Sequence, residues 1–374
     1  MRDGFGLKVW VLVAAVWVAS LGSLPGLAQG VIRPKVVIVG NFEVGADTGD
    51  VAGELQLWVE REHLDRVIQV PGAFHPVRAN ADGSVIALIT GAGNIHPAVS
   101  LTALGLDPQF DLRKSYWLLA GIAGITPLEG SPGTTVWTDY VVNGDLVHEI
   151  DAREMPKEWP TGHTALDKST PYEQPRVPAG SGDDVRTWSG TGSRSDRFGK
   201  VVRLNTALMQ WAYEQTKDHP LPDDATLAAF RAKFKGFPKG QMPPVVMTGG
   251  NLATEEYWHG TLMEEWASGW VKYMTDGRGR FVTTAENDSG SVVALTAMAQ
   301  AGRVDVNRVM LLRAASNFDR QPPGMTAAES MARESHGTQV GFTAGIEAAY
   351  QVGSVVVHKL VSGWAEYGET VPGR

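Results

Sequence analysis

Four stretches of the chain are apolar almost throughout, and each stops at glycine or at polar residues. Residues 35–40, 85–90, 116–120 and 308–313 have the length and near-continuous hydrophobicity of strands buried on both faces. Between them the period lengthens to that of a helix, at 54–63, 94–106, 204–216, 223–234, 257–273, 288–299 and 343–364. On the 257–273 segment, Trp258, Leu262, Trp266 and Trp270 fall near one stripe, which predicts a buried face. Residues 134–142 alternate like a half-buried strand and end at the turn dipeptide Asn143-Gly144. Shorter strands are expected at 245–247 and 281–283. Strands alternating with helices predict an α/β fold with a mainly parallel sheet. No low-complexity linker divides the chain, so one domain is expected over 34–374. Residues 151–200 are rich in Pro, Gly, Ser and charge and read as a long surface excursion without regular structure.

The N-terminus reads differently from the rest. Arg2 and Lys8 precede an apolar run over 9–19, and Gly26-Leu27-Ala28 offers small residues for cleavage after Ala28. The run is shorter than the ~20 residues a spanning helix needs. Residues 1–28 are therefore expected to be a cleaved signal peptide, and the protein to be exported, to the periplasm or the exterior, and not membrane-spanning.

Composition narrows the chemistry. The 374 residues include no cysteine, which removes thiolate nucleophiles, disulfides and Cys-ligated metal. A net charge of -8 makes nucleic acid a poor partner. Two glycine-rich segments close apolar runs, Gly91-Ala92-Gly93-Asn94 and Gly121-Ile122-Ala123-Gly124. Read as turns at the carboxyl ends of strands, they point to a small-molecule crevice with backbone N–H groups for an anion. The dinucleotide fingerprint fails, because its third glycine position is His96. Zincin, nucleophile-elbow and Walker patterns are absent too. The acidic cluster Glu149, Asp151 and Glu154 has no histidine at ligand spacing, so no metal is assigned. Two later strand ends carry polar groups suited to a polyhydroxylated ligand: Thr284, Glu286, Asn287 and Asp288 after one, Ser316, Asn317 and Asp319 after the other. Asp288 is equally suited to capping the helix that follows it.

Longer strings are more specific. Phe42-Glu43-Val44-Gly45-Ala46-Asp47-Thr48-Gly49-Asp50, Gly121-Ile122-Ala123-Gly124-Ile125, Trp258-His259-Gly260, Arg313-Ala314-Ala315-Ser316-Asn317-Phe318 and Gln321-Pro322-Pro323-Gly324, with those at 54–61 and 144–154, resemble the purine nucleoside permease family over 34–373. That family is similar in fold to nucleoside phosphorylases and nucleosidases. The resemblance implies an α/β fold with a mixed, mainly parallel, partly curled central sheet flanked by helices. It implies a purine nucleoside as ligand, bound by Gly45, Asp47, Gly91, Gly93, Asn94, Gly121, Ala123, Gly124, Glu286, Asn287, Asp288, Ser316 and Asn317. Ser316-Asn317 would meet the purine. Glu286-Asn287 stands where the superfamily carries Met-Glu toward the ribose, so either Glu286 meets the ribose from one position earlier, or Asn287 does so as an amide, or sugar binding is altered. Glu43 resembles the superfamily's first-strand acid, and the resemblance leaves a homo-oligomer open.

The reaction so implied is cleavage of the N-glycosidic bond, with Asn317 and Glu43 as the catalytic candidates. An amide at Asn317 can donate a hydrogen bond but no proton, which suits a 6-oxopurine. No cofactor is expected. Phosphate is the candidate co-substrate, held by N–H groups near Gly45, Gly91 and Gly93, with Arg78 as candidate cation. The alternative is a non-catalytic nucleoside-binding or interaction protein on a phosphorylase scaffold. The chain's hydrophobic pattern offers no spanning helices, so it cannot itself form a helical permeation path.

Overall fold

The apolar run at 35–40 becomes a strand whose side chains alternate between two cores, as the period of two requires. Val37 and Val39 pack with one cluster, Val36 and Ile38 with the other, and all four are buried. A computed structural model describes residues 30–166, 168–173, 201–335 and 340–373. The expected signal peptide at 1–28 lies outside these residues, as does the 174–200 part of the expected excursion.

The strands are β1 (Val36–Gly40), β2 (Arg66–Ile68), β3 (Val77–Ala79), β4 (Val85–Ile89), β5 (Tyr116–Ile125), β6 (Thr135–Thr138) and β7 (Tyr140–Asn143). They continue as β8 (Val147–Glu149), β9 (His163–Ala165), β10 (Val201–Arg203), β11 (Val246–Thr248), β12 (Gly250–Ala253), β13 (Phe281–Ala285) and β14 (Val309–Phe318). The helices are α1 (Gln56–Arg61), α2 (Ile95–Leu106), α3 (Thr206–Thr216), α4 (Ala225–Arg231), α5 (Thr261–Met274), α6 (Asp288–Gln300), α7 (Ala327–Ser335), α8 (Phe342–Ser362) and α9 (Trp364–Tyr367).

The sheet is mixed, with a parallel centre. β4, β1, β5 and β14 run parallel in that order. β5 is long enough to change neighbours along one edge: Tyr116–Leu119 pair with β1, and Gly124–Ile125 pair antiparallel with β13. The sheet continues through β12, β7 and β10, while β6 and β11 extend it beyond β14. Helices cover both faces. Leu101 and Leu104 of α2 and Val292 and Leu295 of α6 close one core, and Val352, Val356 and Leu360 of α8 and Leu208 of α3 close the other. Each fully buried Leu or Val in these layers contributes about 1.5–3 kcal/mol relative to exposure.

Several expectations change here. Residues 121–124 are not a turn. They continue β5, which runs unbroken from Tyr116 to Ile125. Neither Gly121 nor Gly124 has a positive φ, whereas Gly91 at +91° and Gly93 at +78° do. Glycine is needed at 121 for space: a β-carbon there would collide with Arg313 Nη1 and Glu54 Oε1. The alternating segment 134–142 divides into β6 and β7 at Asp139, whose carboxylate accepts from Thr206. The expected excursion contains β9, which pairs antiparallel with β8. Leu262 leaves the tryptophan stripe, being 74% exposed in the first turn of α5, while Trp258, Trp266 and Trp270 are buried. Among the described residues no helix is long and apolar enough to cross a membrane.

Candidate functional site

A cavity of about 920 Å³ opens where the carboxyl ends of β1, β5, β13 and β14 converge. This is where an open α/β sheet leaves its backbone ends uncovered and where ligands collect. Asn41 and Phe42 follow β1, Ile122, Ala123 and Gly124 come from β5, Glu286 and Asn287 follow β13, and Ser316, Asn317 and Asp319 sit at the end of β14. Tyr257, Trp258, Glu334 and Phe342 complete much of the remaining wall.

The floor is held by a buried polar chain. Arg313, on β14 and 1% exposed, pairs with Asp288 through both Nε (3.0 Å) and Nη2. Its Nη2 also donates to Asn287 Oδ1 at 3.2 Å, and Asn287 Nδ2 in turn donates to Asn41 Oδ1. Asp288 is supported from β12 by Asn251 Nδ2 at 2.8 Å, and Asn251 accepts from Thr283. Fixed partners on both ends of the Asn287 amide set which of its atoms faces which neighbour.

Glu54 lies between this chain and β5. Its Oε2 accepts from the Asn41 N–H at 2.6 Å and its Oε1 from the Ile122 N–H at 2.7 Å. Burial pushes its carboxyl up to about 7; the charge of Arg313 and the two N–H bonds hold the rise back. A carboxyl on a cavity wall that titrates near neutrality is well matched to moving a proton. Burial also raises Glu286.

At the opposite end, both amide hydrogens of Asn317 are engaged. Its Nδ2 donates to Tyr257 Oη at 3.1 Å and to the Phe318 carbonyl at 3.0 Å, and its Oδ1 accepts from Ser316 at 2.8 Å. Tyr257 in turn donates a hydrogen bond from its hydroxyl to Glu334 Oε2 at 2.8 Å. Asp319, 1% exposed, has neither carboxyl oxygen hydrogen-bonded. Burial first, then the nearby Glu264, drives its carboxyl well above the usual range, against the pull of Arg320.

Of the expected site residues, Ala123, Gly124, Glu286, Asn287, Ser316 and Asn317 line the cavity. The others lie elsewhere. Glu43 is bound to backbone: its oxygens accept from the N–H groups of Gly53, Leu55 (2.8 Å) and Gln56 (2.7 Å), where they tie down the start of α1. Gly45 turns within the same loop, at φ +81°, with Asp50 closing on it. Asp47 pairs with His75 (3.0 Å) and with Arg78 (3.3 Å), which removes Arg78 as a free cation. The Gly91 N–H donates to Asn41 O, and only Ala92 of that turn reaches the cavity. Gly93 faces Glu255. Asn94 bridges Asp145 and the Gly290 N–H. Gly121 and Asp288 stand behind the wall. Replacing Glu43 by Ala is therefore expected to cost about 1–2 kcal/mol of stability, as loss of a helix-start carboxylate does, while nucleoside binding changes less than about threefold. Urea unfolding and a binding titration on one preparation measure both.

Glu54 and Tyr257 line the cavity without having been singled out by the sequence pattern, whereas Asp319 belongs to the polar strand end named there. Glu54 follows a glycine-rich loop and resembles an ordinary polar residue at a helix start. Among the described residues no group of three or more His, Asp or Glu side chains is placed to hold a metal.

A family model for purine nucleoside permease matches residues 33–372. A probable purine nucleoside permease of Schizosaccharomyces pombe is 27% identical over 342 residues, covering 90% of this chain and 92% of that one. A purine nucleoside permease of Candida albicans is 26% identical over 351 residues, 92% of this chain and 79% of that one. Among solved structures, the futalosine hydrolase of Helicobacter pylori aligns with a TM-score of 0.49 at 11% identity, over 88% of this chain and 98% of its own. The 5'-methylthioadenosine/S-adenosylhomocysteine nucleosidase of Neisseria meningitidis gives 0.47 at 12% identity, over 87% and 98%.

Proposed function

The chain belongs to the purine nucleoside permease family, and from that premise we propose that its cavity binds a purine nucleoside and splits the N-glycosidic bond with water. The observation that carries this reading is Glu54, a buried carboxyl on the cavity wall that titrates at about 7. Glu54 takes a proton from water as the water attacks the sugar's anomeric carbon. The C1'–N9 electron pair leaves with the base. Glu286 and Asn287, at the end of β13, meet the sugar hydroxyls: a carboxyl accepts from them and an amide does both.

Phosphate is the other candidate attacking group, and the lining disfavours it. Five carboxylic residues, Glu54, Glu256, Glu286, Asp319 and Glu334, line the cavity, and no lysine, arginine or histidine does among the described residues. None of them offers the anion a positive partner, and any that is ionised repels it in a poorly screened site. Of the groups expected to hold it, the Gly91 N–H is engaged by Asn41 and Arg78 by Asp47. We read residues 1–28 as an export signal, so cleavage would free the base outside the inner membrane for uptake.

The test is incubation with adenosine, inosine and guanosine, with and without phosphate, following free base and sugar product. Free ribose formed at the same rate with and without phosphate is the expected result. Ribose 1-phosphate would establish phosphorolysis instead, and binding without any base released would establish a nucleoside-binding protein.

A further inference from the structure

Asn317 has no amide hydrogen to spare for a ligand. Its Nδ2 donates to the Phe318 carbonyl at 3.0 Å and to the Tyr257 hydroxyl at 3.1 Å. The first acceptor is main chain of β14, one residue away, and moves only with the strand. The second is a side chain. Tyr257 lines the cavity, is 45% exposed, and stands in the loop between β12 and α5. The main chain on either side of it is fastened. The Thr254 N–H donates to Ala285 O at 3.1 Å and the Gly260 N–H to Asp319 O at 2.9 Å. Trp258, the next residue, is buried against Trp266 and Phe281. Rotation of the half-exposed Tyr257 side chain is therefore the easiest motion that frees the Asn317 amide.

The same hydroxyl reaches α7 on its other side. Tyr257 Oη donates to Glu334 Oε2 at 2.8 Å. Burial, then the charge and hydrogen bond of Glu334, hold the phenol above its ordinary range, so it keeps its proton for that bond. Glu334 lies in the last turn of α7. The first turn is fixed by a reciprocal cap. The Thr326 N–H and hydroxyl donate to Glu329 Oε2 at 2.9 and 2.8 Å, and the Glu329 N–H donates to Thr326 Oγ1 at 3.2 Å. No described residue of α7 belongs to a hydrophobic core cluster. A helix so little buried opens locally at small cost unless its far end is held, and Glu334 supplies a hold there.

We propose that Tyr257 is an autoinhibitory latch. Before a ligand enters, its hydroxyl occupies the Asn317 amide and ties α7 to the end of β14 through Glu334. A ligand acceptor takes Asn317 only by displacing it. The proposal rests on the nucleoside reading above, with the base at the Ser316–Asn317 end. The exchange is close to balanced, because one neutral hydrogen bond replaces another. Affinity is lowered by the fraction of molecules in which the latch is closed, for any ligand whose base presents an acceptor to Asn317.

The test is Tyr257→Phe in the full chain, which keeps the ring and removes only the hydroxyl, with adenosine and inosine as probes in calorimetry. The variant is expected to bind both about threefold to tenfold tighter than the wild type. A Tyr257 that merely stacks on the ligand gives equal binding, and one that donates to it gives weaker binding; either result overturns the latch. The same substitution made on Asn317→Ala should bring no gain, since the amide it frees is gone. A gain of full size there overturns the role given to Asn317. Amide hydrogen exchange of the protein without ligand reads the α7 end. Residues of α7 should exchange about tenfold faster in Tyr257→Phe and in Glu334→Ala than in the wild type. Exchange at the wild-type rate in Tyr257→Phe overturns the tie to α7. If wild-type protein binds no nucleoside, the nucleoside reading and the ligand half of the latch fail together, and exchange still decides the α7 half. Wild-type binding with no gain in Tyr257→Phe leaves the nucleoside reading intact and overturns the latch alone.

Discussion

Glu54→Gln is expected to lower base release by about 10²–10⁴-fold while nucleoside affinity stays within about threefold. Gln keeps the shape, but its single oxygen accepts from only one of the Asn41 and Ile122 N–H groups, its NH2 faces the other, and it cannot take a proton from water. The pH profile makes the test specific. A general base works when deprotonated, so wild-type kcat/KM should climb through a midpoint near the Glu54 value of about 7 and level off above it. In Glu54→Gln that limb should disappear from whatever activity remains. A variant that keeps the limb would move the base to another residue, Glu286 being the next carboxyl on the wall.

The second large effect is at Arg313. Replacement by Met removes the cation that holds Asp288 in a region 0–1% exposed, and leaves a buried carboxylate with only Asn251 beside it. Breaking a buried pair from one side costs about 3–5 kcal/mol, so the denaturant midpoint should fall steeply. Catalysis should change as well, with a definite sign. The Arg313 charge lowers the Glu54 pKa, so without it the pKa rises and the rising limb of the rate profile moves to higher pH. A variant that is destabilised with an unmoved limb would mean that Arg313 props the floor without tuning Glu54. Restoring a cation as Arg313→Lys should recover part of the limb's position but not the two-pronged grip on Asp288.

Much of the architecture was legible because burial on both faces leaves an unambiguous trace. β1 and β4 read as apolar runs, and α2, α6 and α8 read at helical spacing within a few residues of their observed ends. What failed did so for identifiable reasons. Glycine signals either a turn or a close approach, and the two look identical in one dimension. At 91 and 93 the backbone needs a positive φ; at 121 the strand runs on, and the missing side chain makes room for Glu54 and Arg313. β12 was overlooked because Gly-Asn-Leu-Ala carries almost no strand signal, and its strand character comes from its neighbours β7 and β13. Within the site, identity was easier to read than commitment. Asn317 lines the cavity, yet only the folded arrangement engages its amide hydrogens with Tyr257 and Phe318. Glu43 and Glu54 are both acids near one loop. Which becomes backbone support and which faces the cavity depends on Ile122, a residue 68 positions beyond Glu54.

The polar chain under the cavity also bears on how the molecule comes into being. Asn41 is joined to Asn287, 246 residues later, and Asp288 to Arg313 only after β14 exists. Contacts so distant along the chain form late, because the loop they close must first be brought together. A ribosome delivering this polypeptide from its N-terminus would release β1, β4 and β5 long before the partners that finish the floor. Until then Asn41 and Glu54 border an incomplete pocket with no Arg313 behind it. The completed cavity is thus the last product of the chain's own synthesis, and a chain cut short before β14 would carry half a cavity and no means of closing it.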